Sequence, residues 1–420
     1  MIRFTYFRVF VFSLIVLFII FVFYSRQVKN KKEQRKENFA NIEKYQLPHK
    51  ITQCPPFLYY RLDDNLNTHE DSLYLNPTLH EITESFPDLF ASADKYEDAH
   101  LLFFETLNRS DQNISEMIKK KTRNEFAWPS SLLYLFTLNR IDLLVSKSAF
   151  AQTMLDYARF KHQEPVIPPS YLIRNLKERE RLKKDFENGI YILKRNLQRQ
   201  QGFYLTSSFE DLIEKIEKEP EFVVAQRFLN NPFLINGRKI NMRVYVLVVI
   251  NSCKNTSSWY VYENGFLYYT AKPYAYTTEQ QCVITSGYID REVYQNNPMT
   301  HDEFRLVLGP SRYKKLKENI KTQLRQVKES YTQTFIQANK LIPGHKAALF
   351  GCDVAPDENL NVKIMEFNKG PDISYKDERD KNVKYNLMLD MLQLLGLIPK
   401  NSVLNINKDG LSHQNRFQII

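Results

Sequence analysis

The stretch "LFGCDVAPDENLNVKIMEFN", residues 349–368, places oxygen-bearing side chains at the ends of two apolar runs. Asp353 closes the first run, and Glu366 and Asn368 close the second. Each run has the length of a strand, and the polar segment between them is typical of a turn, so the stretch predicts a β-hairpin. Because side chains alternate along a strand, Glu366 and Asn368 share one face, and a symmetric hairpin brings Asp353 opposite or diagonal to Glu366.

Two carboxylates that face each other across a strand pair repel, and burial raises the cost of that repulsion. A divalent cation removes the conflict, and a set of Asp, Glu and an Asn amide suits magnesium better than zinc. The alternative is a solvated surface hairpin whose acids pair with Lys363 or Lys369. These residues alone leave both interpretations open.

A lysine upstream favours the magnesium interpretation. The run "YILK" reads as a strand that ends at Lys194, and the polar segment after it closes with Gly202. A lysine that leaves a strand beside a glycine loop is a common way to hold phosphates. The segment contains little glycine, however, and a surface lysine is the alternative interpretation.

Two further strands bear on the same question. The run "VVAQRFL", residues 223–229, reads as a buried strand whose end is able to offer backbone groups to an adenine. The run "GRKINMRVYVLVV", residues 237–249, places Lys239, Asn241 and Arg243 on alternate positions and therefore on one face. Two cations on one face of a buried strand need anions nearby, and phosphates would supply them.

In their order and spacing, these segments resemble the tubulin–tyrosine ligase-like family, which has an ATP-grasp fold. The resemblance rests on "YILK", "VVAQRFL", "GRKINMRVYVLV", "LFGCD", "IMEFNKGP" and the final helical segment "VKYNLMLDMLQLLGL". It covers roughly residues 130–398. It implies an ATP-dependent ligase that adds an amino acid to a protein, usually tubulin. In such a reaction ATP phosphorylates a carboxylate, and an amine then displaces the phosphate to form an amide.

The resemblance also implies roles for individual residues. A magnesium ion on the phosphates of ATP would be held by Asp353, Glu366 and Asn368. Lys194 and Gly202 would contact the phosphates, and Lys239 and Asn241 would lie beside the nucleotide. The adenine pocket would be lined by Gln226, Arg227, Phe228 and Leu229. Arg243 would be the catalytic residue that stabilises the γ-phosphate or the acyl phosphate.

Two positions depart from the family pattern. Asn241 stands where the family has an aspartate, and Tyr268 stands where it usually has an arginine. These changes support a second hypothesis, a catalytically impaired relative that binds ATP, tubulin or both as a membrane-anchored adaptor. A third hypothesis is a ligase for a small molecule or peptide in a secretory lumen, which requires the reverse membrane orientation.

The composition is that of a globular protein. The chain has 420 residues, of which 43% are hydrophobic and 25% charged, enough for two or three lobes. The cysteines, Cys54, Cys253, Cys282 and Cys352, show neither metal-site nor disulfide spacing. The net charge of +10 is concentrated in the first 50 residues, which hold ten Lys and Arg against three Glu. That distribution argues against a nucleic-acid partner and points to a membrane.

The basic region surrounds the apolar run Phe4–Tyr24, which is long enough to span a bilayer. No cleavage site of small residues follows it, so we expect a signal anchor rather than a cleaved signal peptide. The heavier positive flank lies after the run, which places the folded part in the cytosol of a single-pass membrane protein. The partners expected are this membrane, a free amino acid, and tubulin or another protein with an acidic tail.

The fold class expected is α+β, with ATP-grasp-like lobes of mixed or antiparallel sheets after an N-terminal transmembrane helix. Apolar spacing predicts a long helix over 311–341 and a final helix over 382–396, and "SSWYVYENGFLYYTA" suggests a hairpin that turns at Glu263–Gly265. The expected organisation is a signal anchor (1–25), a basic polar stem (26–50), an N-terminal α/β lobe (51–165), a central ATP-grasp lobe (166–235), a C-terminal ATP-grasp lobe (236–398) and a polar tail (399–420).

Overall fold

The computed structural model describes residues 56–62, 77–93, 99–104, 134–187, 189–196, 202–287, 289–340, 344–399 and 414–420. The expected anchor and polar stem lie outside these residues. Within the described ranges, every helix is too short or too polar to cross a bilayer.

The described residues form strands and helices that alternate irregularly. The strands are β1 (Phe57–Leu62), β2 (Phe90–Ser92), β3 (Leu101–Phe104), β4 (Tyr134–Phe136), β5 (Ser170–Leu172), β6 (Tyr191–Arg195), β7 (Phe203–Thr206), β8 (Phe222–Arg227), β9 (Leu234–Ile235), β10 (Arg238–Asn251), β11 (Thr256–Thr270), β12 (Thr285–Ser286), β13 (His345–Pro356), β14 (Val362–Lys369) and β15 (Phe417–Ile419). The helices are α1 (Pro77–Ser85), α2 (Asp142–Val145), α3 (Lys147–Lys161), α4 (Leu176–Asp185), α5 (Phe209–Lys218), α6 (Gln280–Val283), α7 (His301–Leu308), α8 (Pro310–Ala338) and α9 (Glu378–Leu394), with a 3₁₀ helix over Arg291–Gln295.

The described strands form two sheets. The larger sheet has eleven strands in the order β12-β11-β10-β13-β4-β3-β1-β2, and β14, β15 and β9 pair with β13, β11 and β10 respectively. The smaller sheet has four strands in the order β5-β8-β6-β7, and all its pairs are antiparallel. The larger sheet is mixed, because β4, β3, β1 and β2 pair in parallel. The expected mixed α+β class is therefore confirmed.

The centre of the larger sheet is a run of β-branched and aromatic residues. On β10, every residue from Val244 to Ile250 is buried. A strand buried on both faces reads as a continuous apolar run, which is how the sequence identified this segment. The predicted long helix corresponds to α8, whose face of Leu316, Ile320, Leu324, Val327, Tyr331 and Phe335 is buried.

The predicted final helix corresponds to α9 but begins earlier than expected, at Glu378. The side chain of Asp377 accepts a hydrogen bond from the backbone N–H of Asp380 at 2.8 Å and so caps the helix. An N-cap carboxylate stabilises the first turn, so the helix extends back to it.

The predicted hairpin turn at Glu263–Gly265 is wrong, because β11 runs without interruption from Thr256 to Thr270. Gly265 lies in a register irregularity between β10 and β11, where an added Cβ would lie 2.1 Å from the backbone oxygen of Arg243. The glycine permits close approach of two strands rather than a reversal of the chain. The end of the expected polar tail also differs, since Phe417–Ile419 forms β15 on the edge of β11. The lobe boundaries stay a prediction.

Candidate functional site

Three neighbouring strands carry a row of charged side chains. Arg243 on β10 pairs with Asp353 on β13, and Asp353 pairs with Glu366 on β14. Residues directly opposite each other in antiparallel strands project from the same face of the sheet. The hairpin that the sequence predicts is therefore present, with its two carboxylates side by side. We call Arg243, Asp353 and Glu366 the carboxylate row.

Arg243 holds Asp353 with two hydrogen bonds. Its Nε donates to Oδ1 at 2.6 Å, and its Nη2 donates to Oδ2 at 3.1 Å. The neighbouring Gly351 makes room for this side chain, because a Cβ there would lie 2.7 Å from Nη1 and 3.0 Å from Cδ of Arg243. A paired, planar fork of this kind fixes both groups in orientation. Gly351, the glycine in "LFGCD", thus leaves the space that the Arg243 side chain of the neighbouring strand occupies.

The amide of Asn368 completes the oxygen-rich group. Its Nδ2 lies 3.2 Å from Oε1 of Glu366 and 3.5 Å from Oδ2 of Asp353. Rotation of the amide by half a turn would present its oxygen to a cation instead. The described residues contain no group of three or more His, Cys, Asp and Glu suited to a metal. Two carboxylates and one amide fit magnesium, which keeps water and phosphate oxygens as further ligands.

The hairpin is not the solvated one of the alternative interpretation. The side chain of Asp353 is 14% exposed and that of Glu366 is 30% exposed. Lys363 donates instead to the backbone oxygen of Pro165 at 2.7 Å, and Lys369 pairs with Asp142 at 2.5 Å. The two lysines named by that interpretation therefore have other partners.

The pKa values of the two carboxylates are shifted in opposite directions by burial and by the charges nearby. Burial raises the pKa of Asp353, and the neighbouring Glu366 adds to the rise while Arg243 opposes it. Burial also acts to raise the pKa of Glu366, but Lys147 and Lys194 outweigh it and hold that pKa below its usual range. Glu366 is consequently an anion at neutral pH and attracts cations.

Lys194 enters the site from the smaller sheet. Its Nζ donates to Oε1 of Gln226 at 2.7 Å, and Nε2 of that glutamine donates to Oγ of Ser170 at 2.8 Å. The glutamine therefore fixes the direction of the lysine. Burial lowers the pKa of Lys194 to about 8. A partly desolvated ammonium held by a neutral partner is suited to an incoming anion.

Lys239, at the start of β10, is a second lysine of the site, and it is buried. Its Nζ donates to the backbone oxygen of Val283 at 2.9 Å and lies 4.2 Å from the centre of the Phe228 ring. Burial, together with the nearby Lys194, lowers the pKa of Lys239 to about 7. We call Lys194 and Lys239 the lysine pair.

The carboxylate row and the lysine pair line one cleft of about 360 Å³. Its volume lies in the range of ligand pockets. Every residue of the predicted site lines it: Lys194, Gly202, Gln226, Arg227, Phe228, Leu229, Lys239, Asn241, Arg243, Asp353, Glu366 and Asn368. Ile192, Phe203 and Ile284 add apolar surface beside Phe228, as a planar base requires. The roles of the individual residues stay predictions.

The two departures from the family pattern meet in this cleft. Asn241 and Tyr268 are partners in the register of β10 and β11, and the Tyr268 ring lies 5.1 Å from the Arg243 guanidinium carbon. Oδ1 of Asn241 is buried and accepts no hydrogen bond from the described residues. A buried acceptor of this kind is costly unless a ligand satisfies it.

The sequence patterns predicted no role in the nucleotide site for several other cleft residues. They are Lys147, Lys369, Arg291, Asp372, Lys376, Asp380 and Lys384. Lys369 directly follows the predicted triad, which was a signal for it. Lys147 lies far upstream of the predicted triad, at the start of α3. The sequence around it, with Ser146 as the helix cap, does not indicate a ligand site.

The chain is similar in sequence to known proteins. The sequence model of the tubulin-tyrosine ligase family matches residues 137–404. A probable tubulin polyglutamylase, ttll-9, of Caenorhabditis elegans is 27% identical over 198 residues, which are 44% of this chain and 45% of that protein. A probable beta-tubulin polyglutamylase of Tetrahymena thermophila is 23% identical over 300 residues, 63% of this chain and 24% of that protein.

A tubulin glycylase, 3B, of Drosophila melanogaster is 23% identical over 291 residues, 63% of this chain and 36% of that protein. The chain thus spans less than half the length of each of these three relatives.

Proposed function

The chain belongs to the tubulin-tyrosine ligase family, and from that premise we propose that it is an ATP-dependent ligase that joins an amino acid to a protein. Tubulin is the acceptor we favour, because the relatives are named as tubulin polyglutamylases and a tubulin glycylase. The amino acid is tyrosine, glutamate or glycine in this proposal.

One observation carries the proposal: the carboxylate row and the lysine pair line the same cleft. Cations and carboxylates side by side are what a magnesium–nucleotide complex requires, since its phosphates need cations and its metal needs oxygen ligands. The apolar surface around Phe228 supplies a place for the base. A surface hairpin or a structural ion-pair network would not need that combination.

In such a reaction the residues of the cleft would have different roles. Asp353, Glu366 and Asn368 would hold magnesium. When bound, the ion would neutralise charge on the transferring phosphoryl group. The lysine pair would hold the nucleotide phosphates, and Gln226 would keep Lys194 directed at them.

Arg243 would face the phosphoryl group as it moves to a carboxylate of the acceptor, with ADP as the leaving group. The amine of the incoming amino acid would then attack the acyl carbon, form the amide and release phosphate. Because Asp353 already holds Arg243 by two hydrogen bonds, the guanidinium needs little reorganisation for this role.

We also propose that the first residues attach this ligase to a membrane. The support is the apolar run Phe4–Tyr24 and the basic segment after it, whose positive charge favours a cytosolic position for the folded part. Alkaline extraction and protease protection of the full chain in isolated membranes would test the anchor and its orientation.

The test of the ligase uses the full chain in detergent with purified tubulin, Mg-ATP and labelled tyrosine, glutamate or glycine. We expect ATP-dependent incorporation of one label, and its loss in Glu366→Gln. Glu358→Gln is the matched control, since Glu358 lies in the turn of the same hairpin and is exposed. Nucleotide binding without incorporation of any label would contradict ligation to tubulin.

The second candidate is a catalytically impaired relative that binds ATP or tubulin. The observation in its favour is the pair Asn241 and Tyr268, which replaces a family carboxylate and a cation beside Arg243. Asn241→Asp and Tyr268→Arg, singly and together, separate the candidates. Gain of incorporation in the double variant from an inactive parent would favour the impaired relative.

A further inference from the structure

The connection between α2 and α3 touches both sheets beside the cleft. We call residues Asp142–Ser148 the elbow. Toward the larger sheet, Asp142 pairs with Lys369 at the end of β14. Toward the smaller sheet, Nδ2 of Asn196 donates to Oγ of Ser148 at 3.0 Å, directly after β6. The elbow therefore links the strand that carries Glu366 to the strand that carries Lys194.

Lys147 is the residue of the elbow that reaches into the site. Its Nζ lies 3.5 Å from Oε2 of Glu366, and it lines both the cleft and a small adjoining cavity. Its side chain is 18% exposed, so the ion pair is only partly screened by water. The helix does not need this lysine at its start, since Ser146 already supplies the cap.

Each of the two carboxylates has one cation beside it: Arg243 beside Asp353 and Lys147 beside Glu366. Arg243 engages both oxygens of Asp353, while Lys147 faces one oxygen of Glu366 and Asn368 faces the other. A divalent cation that binds Glu366 would take over the neutralisation that Lys147 provides. The ammonium would then lie beside the metal-bound phosphates, whose negative charge exceeds what one divalent ion balances.

We propose that Lys147 is a positioning residue of the metal site, which neutralises and orients Glu366 in the empty cleft and turns to the terminal phosphate when a divalent cation takes Glu366. The proposal rests on the nucleotide–magnesium function proposed above. Lys147 and the cation compete for Glu366, whereas Lys147 and the nucleotide attract each other. Loss of the ammonium should therefore raise the affinity for the cation and lower the affinity for the nucleotide.

The test uses the full chain and the variants Lys147→Met and Lys147→Arg. A fluorescent ATP analogue is titrated in EDTA, and Mn²⁺ is titrated without nucleotide and followed by electron paramagnetic resonance. For Lys147→Met we expect about tenfold weaker binding of the nucleotide in EDTA, because the charge of Glu366 beside the phosphates is then no longer neutralised. We expect severalfold tighter binding of Mn²⁺, because the cation no longer competes with the ammonium for Glu366. Lys147→Arg restores the nucleotide affinity. Lys161→Met, at the far end of the same helix, changes neither.

A purely structural role for Lys147 predicts a different result. Lys147→Met would then weaken both ligands together, with a lower melting temperature, and that outcome overturns the proposal. Nucleotide affinity in EDTA within twofold of the wild-type value also overturns it. Absence of nucleotide binding by the wild-type protein would instead overturn the proposed function, on which this proposal rests.

Discussion

The carboxylate row and the lysine pair line the same cleft, but their charged groups have different kinds of partner. In the row, each charge lies beside a charge of opposite sign, as Arg243 does at 2.6 Å from Asp353. In the pair, each ammonium donates to a neutral oxygen, that of Gln226 or of the Val283 backbone. The pair also carries two like charges in one cavity, and Lys194 adds to the lowering of the pKa of Lys239 that burial causes.

This difference separates two tasks of one site. The charges of the row balance once Lys147, which pairs with Glu366, is counted. The row therefore keeps its geometry without a ligand, because strand register and ion pairs hold it. A lysine pair that is largely shielded from water and has neutral partners gains more from an anion than a solvated pair would. We therefore expect substitutions in the row to affect chemistry most, and substitutions in the pair to affect nucleotide affinity most.

The largest effect is expected for Glu366→Gln. The amide keeps the shape of the side chain but removes the charge that would hold magnesium, a contribution of several kcal/mol. Amino-acid incorporation should fall by more than about a hundredfold, while binding of the fluorescent ATP analogue in EDTA should not weaken, because a negative charge beside the phosphates is lost. Equal loss of both would show that the row also governs nucleotide affinity, and Glu358→Gln controls for the change in charge.

Lys194→Met should produce the opposite pattern. A hydrogen bond to a charged group contributes about 1.5–3 kcal/mol, so nucleotide affinity should fall by roughly tenfold to a hundredfold. The exposed Lys183→Met on α4 is the matched control. Isothermal titration with Mg-ATP measures both. An unchanged affinity in Lys194→Met would place the phosphates away from the lysine pair.

Gly351→Ala should disturb the row without changing a charge. The added Cβ lies 2.7 Å from Nη1 of Arg243 and forces that side chain to move, so we expect about tenfold slower incorporation and about 1 kcal/mol lower stability. Gly309→Ala is the control: φ is +84° there and no atom lies within 4 Å, so it should lower stability alone. Full activity in Gly351→Ala would mean that the position of Arg243 is not critical.

The smallest effect concerns pH. The pKa of Lys239 is lowered to about 7 and that of Lys194 to about 8, so the folded protein holds fewer protons than the unfolded chain above those values. Stability of the empty protein should therefore rise with pH from about 7 toward 10. An anion raises both pKa values, so nucleotide binding takes up protons, and affinity should fall as pH rises through about 7–9.

Calorimetry of nucleotide binding in two buffers of different ionisation enthalpy measures that proton uptake. A double variant, Lys194→Met with Lys239→Met, should show none of it. Proton uptake that survives in the double variant would assign the titration to other groups and remove the distinction drawn between the row and the pair.

Much of this site was predictable because its signals are local. The alternation of Lys239, Asn241 and Arg243 placed them on one face, and the two apolar runs around Asp353 and Glu366 placed the carboxylates together. The error at Gly265 has the same origin. A glycine after asparagine is a strong turn signal, but here a neighbouring strand approaches so closely that only glycine fits.

Sequence patterns were enough to identify the strands that carry the site, the charged faces of those strands and the residue types that a nucleotide site would use. Three contacts could be seen only in the folded protein: Lys147 reaches Glu366, Gln226 directs Lys194, and Gly351 makes room for Arg243. Periodicity is a property of one segment and follows from backbone geometry. Contacts between the elbow, the smaller sheet and the larger sheet depend on how separate elements pack, and a local pattern carries no information about that distance.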